Sequence, residues 1–354
     1  MALELTFLVL AVVLAAKPLD DWLLTVDVLQ VTWARLSVFY LVIGIAEYIL
    51  SFPLAVYSGF TLEHQFGLSR QSFARWSRRD LLKNLLMLAF GLVMIQGLFW
   101  LIRLTGPAWW LAAAGLSFVI SVLIGQLVPV LILPLFYKIQ RLDDRDLAER
   151  FQHLTEGTTL SIQGIYRMQL STETVKANAM LAGLGRTRRV ILGDTLLDGF
   201  TPDEIEVVLA HEIGHHVHHH IPKLIAGGLV LSGLGFFVCD VVLRQWLGGS
   251  GLTYAQLPVY ALPLLMLVVT LFSLLTGPIQ NAVSRHFERQ SDRFALRQTG
   301  KIPAYLSAFD KLARLNKSDP QPPALEVFLF HDHPPIAERL AMGTAMATAT
   351  EEHS

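Results

Sequence analysis

The chain has 354 residues, 53% of them hydrophobic and 16% charged, with a mean hydropathy of +0.48 and a formal net charge of −1. So apolar a composition excludes an ordinary soluble protein of this length. One cysteine, Cys239, excludes a disulfide framework within the chain, and there is no internal repeat, phosphate-binding glycine loop or nucleic-acid motif.

Six apolar runs bounded by charge or by Gly and Pro read as membrane spans, at 3–16, 36–60, 81–104, 108–137, 223–246 and 257–280. The first is short, and Leu3-Glu4-Leu5 lacks the positive charge of a secretory signal, so it reads as a retained helix. The loop after it carries Asp20, Asp21 and Asp27 against Lys17 and Arg35. The next holds Arg70, Arg75, Arg78, Arg79 and Lys83 against Glu63 and Asp80, which puts that loop, and both termini, in the cytoplasm. Glu47 lies within the second span and is expected to face a polar interior. Pro53, Pro129 and Pro134 predict kinked helices.

The domain reading is an N-terminal membrane region (1–137), a first cytoplasmic stretch (138–222), two further spans (223–280) with Cys239 as a packing residue, and a second cytoplasmic stretch (281–354). Residues 138–155 have a helical period with a charged, solvated face. Strands are predicted at Ile162–Leu170 and Val175–Leu181, followed by a turn at Gly183-Leu184-Gly185 into Arg189-Val190-Ile191-Leu192. A small sheet beside a catalytic helix can hold a peptide as an added strand.

That helix is announced by Thr201-Pro202-Asp203-Glu204, a capping box with proline at the first helical position. Ile205, Val208, Leu209 and Ile213 form its apolar stripe. Within it stands His211-Glu212-Ile213-Gly214-His215. Residues i and i+4 share a helix face, so both imidazoles can bind one zinc ion, with Glu212 beside the water that the metal activates. This is the arrangement of a metalloprotease. His216, His218, His219 and His220 follow, but only one histidine pair encloses a glutamate at the required place. A catalytic zinc needs a third protein ligand. Glu288, in Ser284-Arg285-His286-Phe287-Glu288-Arg289-Gln290-Ser291-Asp292, is the candidate, with Asp292 one turn on to orient a ligand histidine, although spacing alone favours a solvated helix face.

Several ordered motifs resemble the type I CAAX prenyl endopeptidases, integral-membrane zinc proteases that clip prenylated tails. They are Leu50-Ser51-Phe52-Pro53 with Tyr57, Glu63-His64-Gln65-Phe66-Gly67-Leu68-Ser69 with Gln71-Ser72, Pro134-Leu135-Phe136, Asn178-Ala179, Arg189-Val190-Ile191-Leu192 with Asp194-Thr195-Leu196-Leu197, the 284–292 segment, and His333-Pro334-Pro335 with Glu338-Arg339. The resemblance implies a mainly α integral membrane protein, a multi-span helical barrel around a water-filled chamber whose wall would suit Glu47, capped by a cytoplasmic zincin-like α+β metalloprotease domain. It implies one zinc ion per chain on His211, His215 and Glu288, with Glu212 as general base and later proton donor and Asp292 behind a ligand. His333 would hydrogen-bond the oxyanion, Arg339 would join the catalytic set by supporting the carboxylates, and Asn178 and Ala179 would bind substrate. The expected partners are the lipid bilayer and a peptide or protein substrate, prenylated or membrane-associated, with no nucleic acid. Two departures stand out: family members commonly have seven spans, and Met180 and Ser291 replace an aromatic residue and an alanine. A broad-specificity quality-control protease and an inactive membrane scaffold are the alternative readings.

Overall fold

The computed structural model describes residues 2–158, 160, 162–183 and 188–351. The chain forms two compact units. The first comprises Met1–Leu62, Ser72–Ile120 and Ala226–Leu275; the second comprises Glu63–Gln71, Ser121–Ile225 and Thr276–Ser354.

Among the described residues, five helical stretches are long and apolar enough to cross a membrane: Ala2–Leu23, Thr32–Gln65, Phe73–Phe136, His220–Gly249 and Val259–Thr299. The expected count was six. The predicted third and fourth spans both fall in Phe73–Phe136, which is interrupted by a 3-10 turn at Gly106–Ala108, where Gly106 adopts φ 54° and ψ −131°. The first helix continues beyond the predicted 16 to Leu23, because its charged end is satisfied within the fold: Lys17 pairs with Asp21 at 2.8 Å, and buried Asp20 meets Arg35 at 2.8 Å. The predicted proline kinks are local widenings, π turns at Tyr57–Leu62 just after Pro53 and at Val128–Ile132 around Pro129. In the most apolar window of Phe73–Phe136 only 6% of residues are buried, so its side chains require lipid as a solvent. The core of the first unit holds Phe39, Ile102, Trp109 and Leu243 with Cys239, and Trp109 Nε1 and Tyr254 Oη both donate to the fully buried Asp240, at 2.8 and 2.6 Å.

The second unit carries a four-stranded sheet of β1 (Ile139–Arg141), β2 (Ile165–Met168), β3 (Ala179–Ala182) and β4 (Arg189–Gly193) in the order β1-β2-β4-β3. β1 runs antiparallel to β2, β2 parallel to β4, and β3 antiparallel to β4, which leaves β3 on an edge. The predicted helical stretch at 138–155 is split: residues 139–141 extend β2 sideways, and the helix starts only at Arg145, where Asp144 accepts from Leu147 N at 3.1 Å. The predicted strands are also shorter than expected. Val175 N donates to Leu68 O at 3.1 Å and Thr174 bridges Ser69, so this segment is held by the loop from the far end of the second helix and joins the sheet only at Ala179. Asp194 closes the other end, accepting from Leu170 N at 2.8 Å, Ser171 N at 2.9 Å and Ser171 Oγ at 2.6 Å. Leu184 and Gly185 of the predicted turn lie outside the described residues.

Behind the sheet runs the Pro202–Val217 helix, with its capping box formed on both sides: Glu204 N bonds to Thr201 Oγ1 at 3.4 Å and Thr201 N to Glu204 Oε2 at 2.8 Å. The predicted stripe Ile205, Val208, Leu209 and Ile213 is buried, and Val207 on the opposite side packs against Leu296, Tyr305 and Phe309. The helix is therefore enclosed on both flanks. Glu204 also accepts from Ser307 Oγ at 2.6 Å and Lys311 Nζ at 2.7 Å. Burial opposes its charge, but these donors outweigh burial and hold its carboxyl below the ordinary 4.5. A depressed folded pKa contributes stability above about 4.5 that is lost as pH falls below it. Glu204→Gln should cost about 1–3 kcal/mol near neutrality, and its thermal midpoint should fall less steeply than that of the parent as pH is lowered through this range. Parallel pH profiles would refute the assignment.

Candidate active site

His211 and His215 leave the Pro202–Val217 helix on one face, as i,i+4 spacing requires, and Glu288 meets them from the Leu262–Thr299 helix. The two helices touch at Gly214, where a Cβ would sit 2.9 Å from Ser291 Cα and 3.2 Å from Ser291 Cβ. Glycine on one helix and a small side chain on the other permit this approach, which brings the donors together. His211 Nε2 lies 3.2 Å from His215 Nε2 and 3.2 Å from Glu288 Oε2, and His215 Nε2 lies 3.2 Å from Glu288 Oε1. Among the described residues these three side chains are the group able to hold a metal ion.

The donor set fits a metal on two grounds. A tetrahedral ion with bonds of roughly 2.0–2.1 Å keeps its ligand atoms about 3.3 Å apart; the two imidazole nitrogens are 3.2 Å apart, and each lies 3.2 Å from one oxygen of Glu288, His211 from Oε2 and His215 from Oε1. Glu288 Oε2 is buried and accepts no hydrogen bond, a position that a cation would satisfy. His211 responds to the same demand for positive charge: burial works against its imidazolium, yet the Asp292 and Glu288 carboxylates overcome burial and raise it to about 9.

Behind the donors, Asp292 Oδ1 lies 2.9 Å from His211 Nδ1, an arrangement that turns the other nitrogen, Nε2, toward Glu288. Arg339 clamps Asp292 with two bonds, Nε to Oδ2 at 2.9 Å and Nη2 to Oδ1 at 2.6 Å, and its guanidinium stacks 3.8 Å from the Phe309 ring centroid. Arg339 was expected among the catalytic residues. That expectation was of a support for the carboxylates, and the contacts of Arg339 run to Asp292, with a 3.9 Å approach to Glu288. His333 is half exposed, with Nε2 3.5 Å from Glu288 Oε1 and Nδ1 2.8 Å from Asp332 Oδ1.

Glu212 lies on the same helix turn and accepts from Leu181 N at 3.3 Å. Just before β3, Asn178 O takes Gly193 N from β4, so alternate residues 179 and 181 turn their main-chain groups outward, and Leu181 uses that direction to reach Glu212. A cavity of about 570 Å³ runs from this edge past the donors, lined by Asn178, Ala179, His211, Glu212, Glu288 and His333 among others. Sequence reasoning thus named residues that the fold gathers around one cavity. It missed Leu181, Phe309, His220 and Gln290, whose parts depend on contacts between distant segments; only the position of Gln290 between Glu288 and Asp292 hinted at a role.

Comparison with known proteins decides what this site belongs to. The model for "Peptidase family M48" matches residues 141–346. The chain belongs to peptidase family M48. Residues 2–138 match "CAAX prenyl protease N-terminal, five membrane helices"; counted with Gly106 as a boundary, the described part of that region holds four helical stretches. A Bacillus subtilis protein named as an uncharacterized metalloprotease, YhfN, is 27% identical over 305 residues, covering 85% of this chain and 71% of that one. CAAX prenyl protease 1 of Saccharomyces cerevisiae is 28% identical over 314 residues, covering 82% and 68%. The crystal structure of S. mikatae Ste24p superposes with a TM-score of 0.80 at 24% identity, over 88% of this chain and 76% of that one, and so shares the fold. This M48 protein is an integral membrane metalloendopeptidase that hydrolyses peptide bonds with a metal ion.

Removing Glu288 takes away one donor and leaves two facing imidazoles. Glu288→Ala should therefore purify with metal content well below that of the parent, measured by atomic emission; retained stoichiometric metal would exclude it as a ligand.

Proposed function

We propose that this M48 enzyme uses one zinc ion per chain, held by His211, His215 and Glu288, to cleave the tails of prenylated or otherwise membrane-associated proteins at the cytoplasmic face. The observation that carries the reading is the convergence, beside the β3 edge of the sheet, of two imidazoles, one carboxylate and a separate glutamate, Glu212, that is not one of the three donors. When bound, zinc supplies Lewis acidity that polarises a carbonyl and acidifies water toward a pKa of about 7. Glu212 takes the proton of the attacking water and returns it to the leaving amine. His333 donates from Nε2 to the oxyanion, its ring oriented by Asp332 Oδ1, 2.8 Å from Nδ1. Asp292 orients His211 and Arg339 holds Asp292. The substrate lies along the edge at Asn178 and Ala179 as an added strand, which fixes the scissile bond without reading much sequence.

The prenylated tail as substrate is supported by the relatives named CAAX prenyl protease 1. Sidedness is supported by the basic loop after the second helix. Leu68, Arg70 and Glu63 from that loop bond to Val175 and Thr174, Ser171, and Lys176 of the second unit. Glu63–Gln71 belongs to the donor-bearing unit itself, which supports the reading that donors and loop share one side of the bilayer, and loops rich in Arg and Lys face the cytoplasm. The corresponding domain reading has both stretches, 138–222 and 281–354, on that side.

The test compares a farnesylated CAAX peptide, its unprenylated twin and an unfolded protein, with wild type and Glu212→Gln, in detergent and in sealed vesicles of known orientation. Cleavage confined to the farnesylated peptide, dependent on Glu212 and seen only when the cytoplasmic face is outward, is expected. Equal cleavage of all three would remove the prenyl requirement, and an active Glu212→Gln would remove the base. His333→Ala should lower kcat by about 10²–10³ with metal retained; an unchanged kcat would strike it from the mechanism.

A further inference from the structure

The two imidazoles of the donor cluster are backed by different chemistry. Asp292 stands behind His211, but behind His215 is another histidine: His220 Nδ1 lies 3.0 Å from His215 Nδ1. We propose that His220 is a positioning residue that fixes the tautomer of His215, so that the Nε2 lone pair of His215 points at the metal site. The proposal rests on the reading of His215 as a ligand.

The direction of each hydrogen bond follows from a chain of neighbours. Gln290 Nε2 can only donate, and it lies 3.2 Å from His286 Nε2, which must accept. That orientation turns Gln290 Oε1 toward His220 Nε2, 2.8 Å away, so His220 Nε2 carries the proton. A neutral His220 then has an unprotonated Nδ1, and His215 Nδ1 must donate to it. The lone pair of His215 is left on Nε2, the atom 3.2 Å from both His211 Nε2 and Glu288 Oε1.

Packing holds the relay in place. His220 is fully buried, and its ring stacks on Phe287 at a centroid distance of 4.2 Å and an interplanar angle of 8°. It reaches back to His215 because His219 takes a left-handed turn, φ 55°, between the end of one helix and the start of the next. This accounts for one member of the histidine-rich tract. Gln290 and Phe287 come from the helix that also supplies Glu288, so a single helix delivers both a donor and the anchor of the opposite ligand. A neutral imidazole orients His215 without adding a second anionic partner beside Asp292.

The test uses the purified, zinc-loaded protein and measures zinc transfer to a chelator for wild type, His220→Asn, His220→Gln and His215→Ala. Asparagine places its carbonyl oxygen where Nδ1 was and can still accept from His215; the longer glutamine places its amide near the former Nε2. His220→Asn should hold zinc within about threefold of wild type, and His220→Gln should hold it about 10–100-fold more weakly. A merely space-filling role would favour the larger glutamine. Equal retention by both, or better retention by glutamine, overturns the proposal. His215→Ala separates the two readings: if it keeps stoichiometric zinc, the ligand assignment falls as well, whereas if it loses zinc while both His220 variants keep it, only the role of His220 falls.

Discussion

The contact between Gly214 and Ser291 is the constraint on which the rest of the site depends. A helix carrying two imidazoles and a helix carrying a carboxylate must come close enough for side chains of very different length to share one ion. A Cβ at 214 would lie only 2.9 Å from a main-chain atom of the other helix, so any larger residue would hold the pair apart. Backbone atoms do not move aside as a flexible side chain would. The glycine inside the metal motif is thus a spacing element, and the small side chain of Ser291 keeps the opposing surface low.

Around that contact the site is built in layers of decreasing generality. The donors meet at nearly equal separations, Asp292 sits fully buried behind one of them, and Arg339 closes the layer with its guanidinium on Phe309. A buried carboxylate without a partner costs several kcal/mol, so Arg339 makes Asp292 tolerable there. The enclosure of the Pro202–Val217 helix on both flanks gives these layers a rigid base, consistent with the exact placement that catalysis requires.

Much of this was legible in the sequence where the physics is local. A capping box and an i,i+4 pair are decided within a few residues, so the start of the helix and the shared face of His211 and His215 could be read directly. The apolar runs announced the membrane helices for the same reason. What could not be read depends on contacts far apart in the chain. Val175 looks like a strand residue but is claimed by Leu68, so the strand begins four residues later than its alternation suggested. The charged period at 138–155 hid a short strand because β1 acquires its identity from β2. His220 was visible only as one of several histidines; its bond to His215 requires the reversal at His219 and a glutamine 70 residues away. The break at Gly106, by contrast, was legible, since the predicted runs 81–104 and 108–137 part where the helix ends.

The brevity of β3 has a consequence for the protein as a whole. An unpaired strand edge is an invitation to any extended chain, including another unfolded copy of the same protein, and long flat edges nucleate aggregates. Here the edge is only four residues long, with outward main-chain groups at two of them, and one of those already bonds to Glu212. Such an edge can grip about two peptide units of a guest, too few to template a growing sheet. The enzyme can therefore keep a sticky surface permanently open without becoming a seed for its own aggregation.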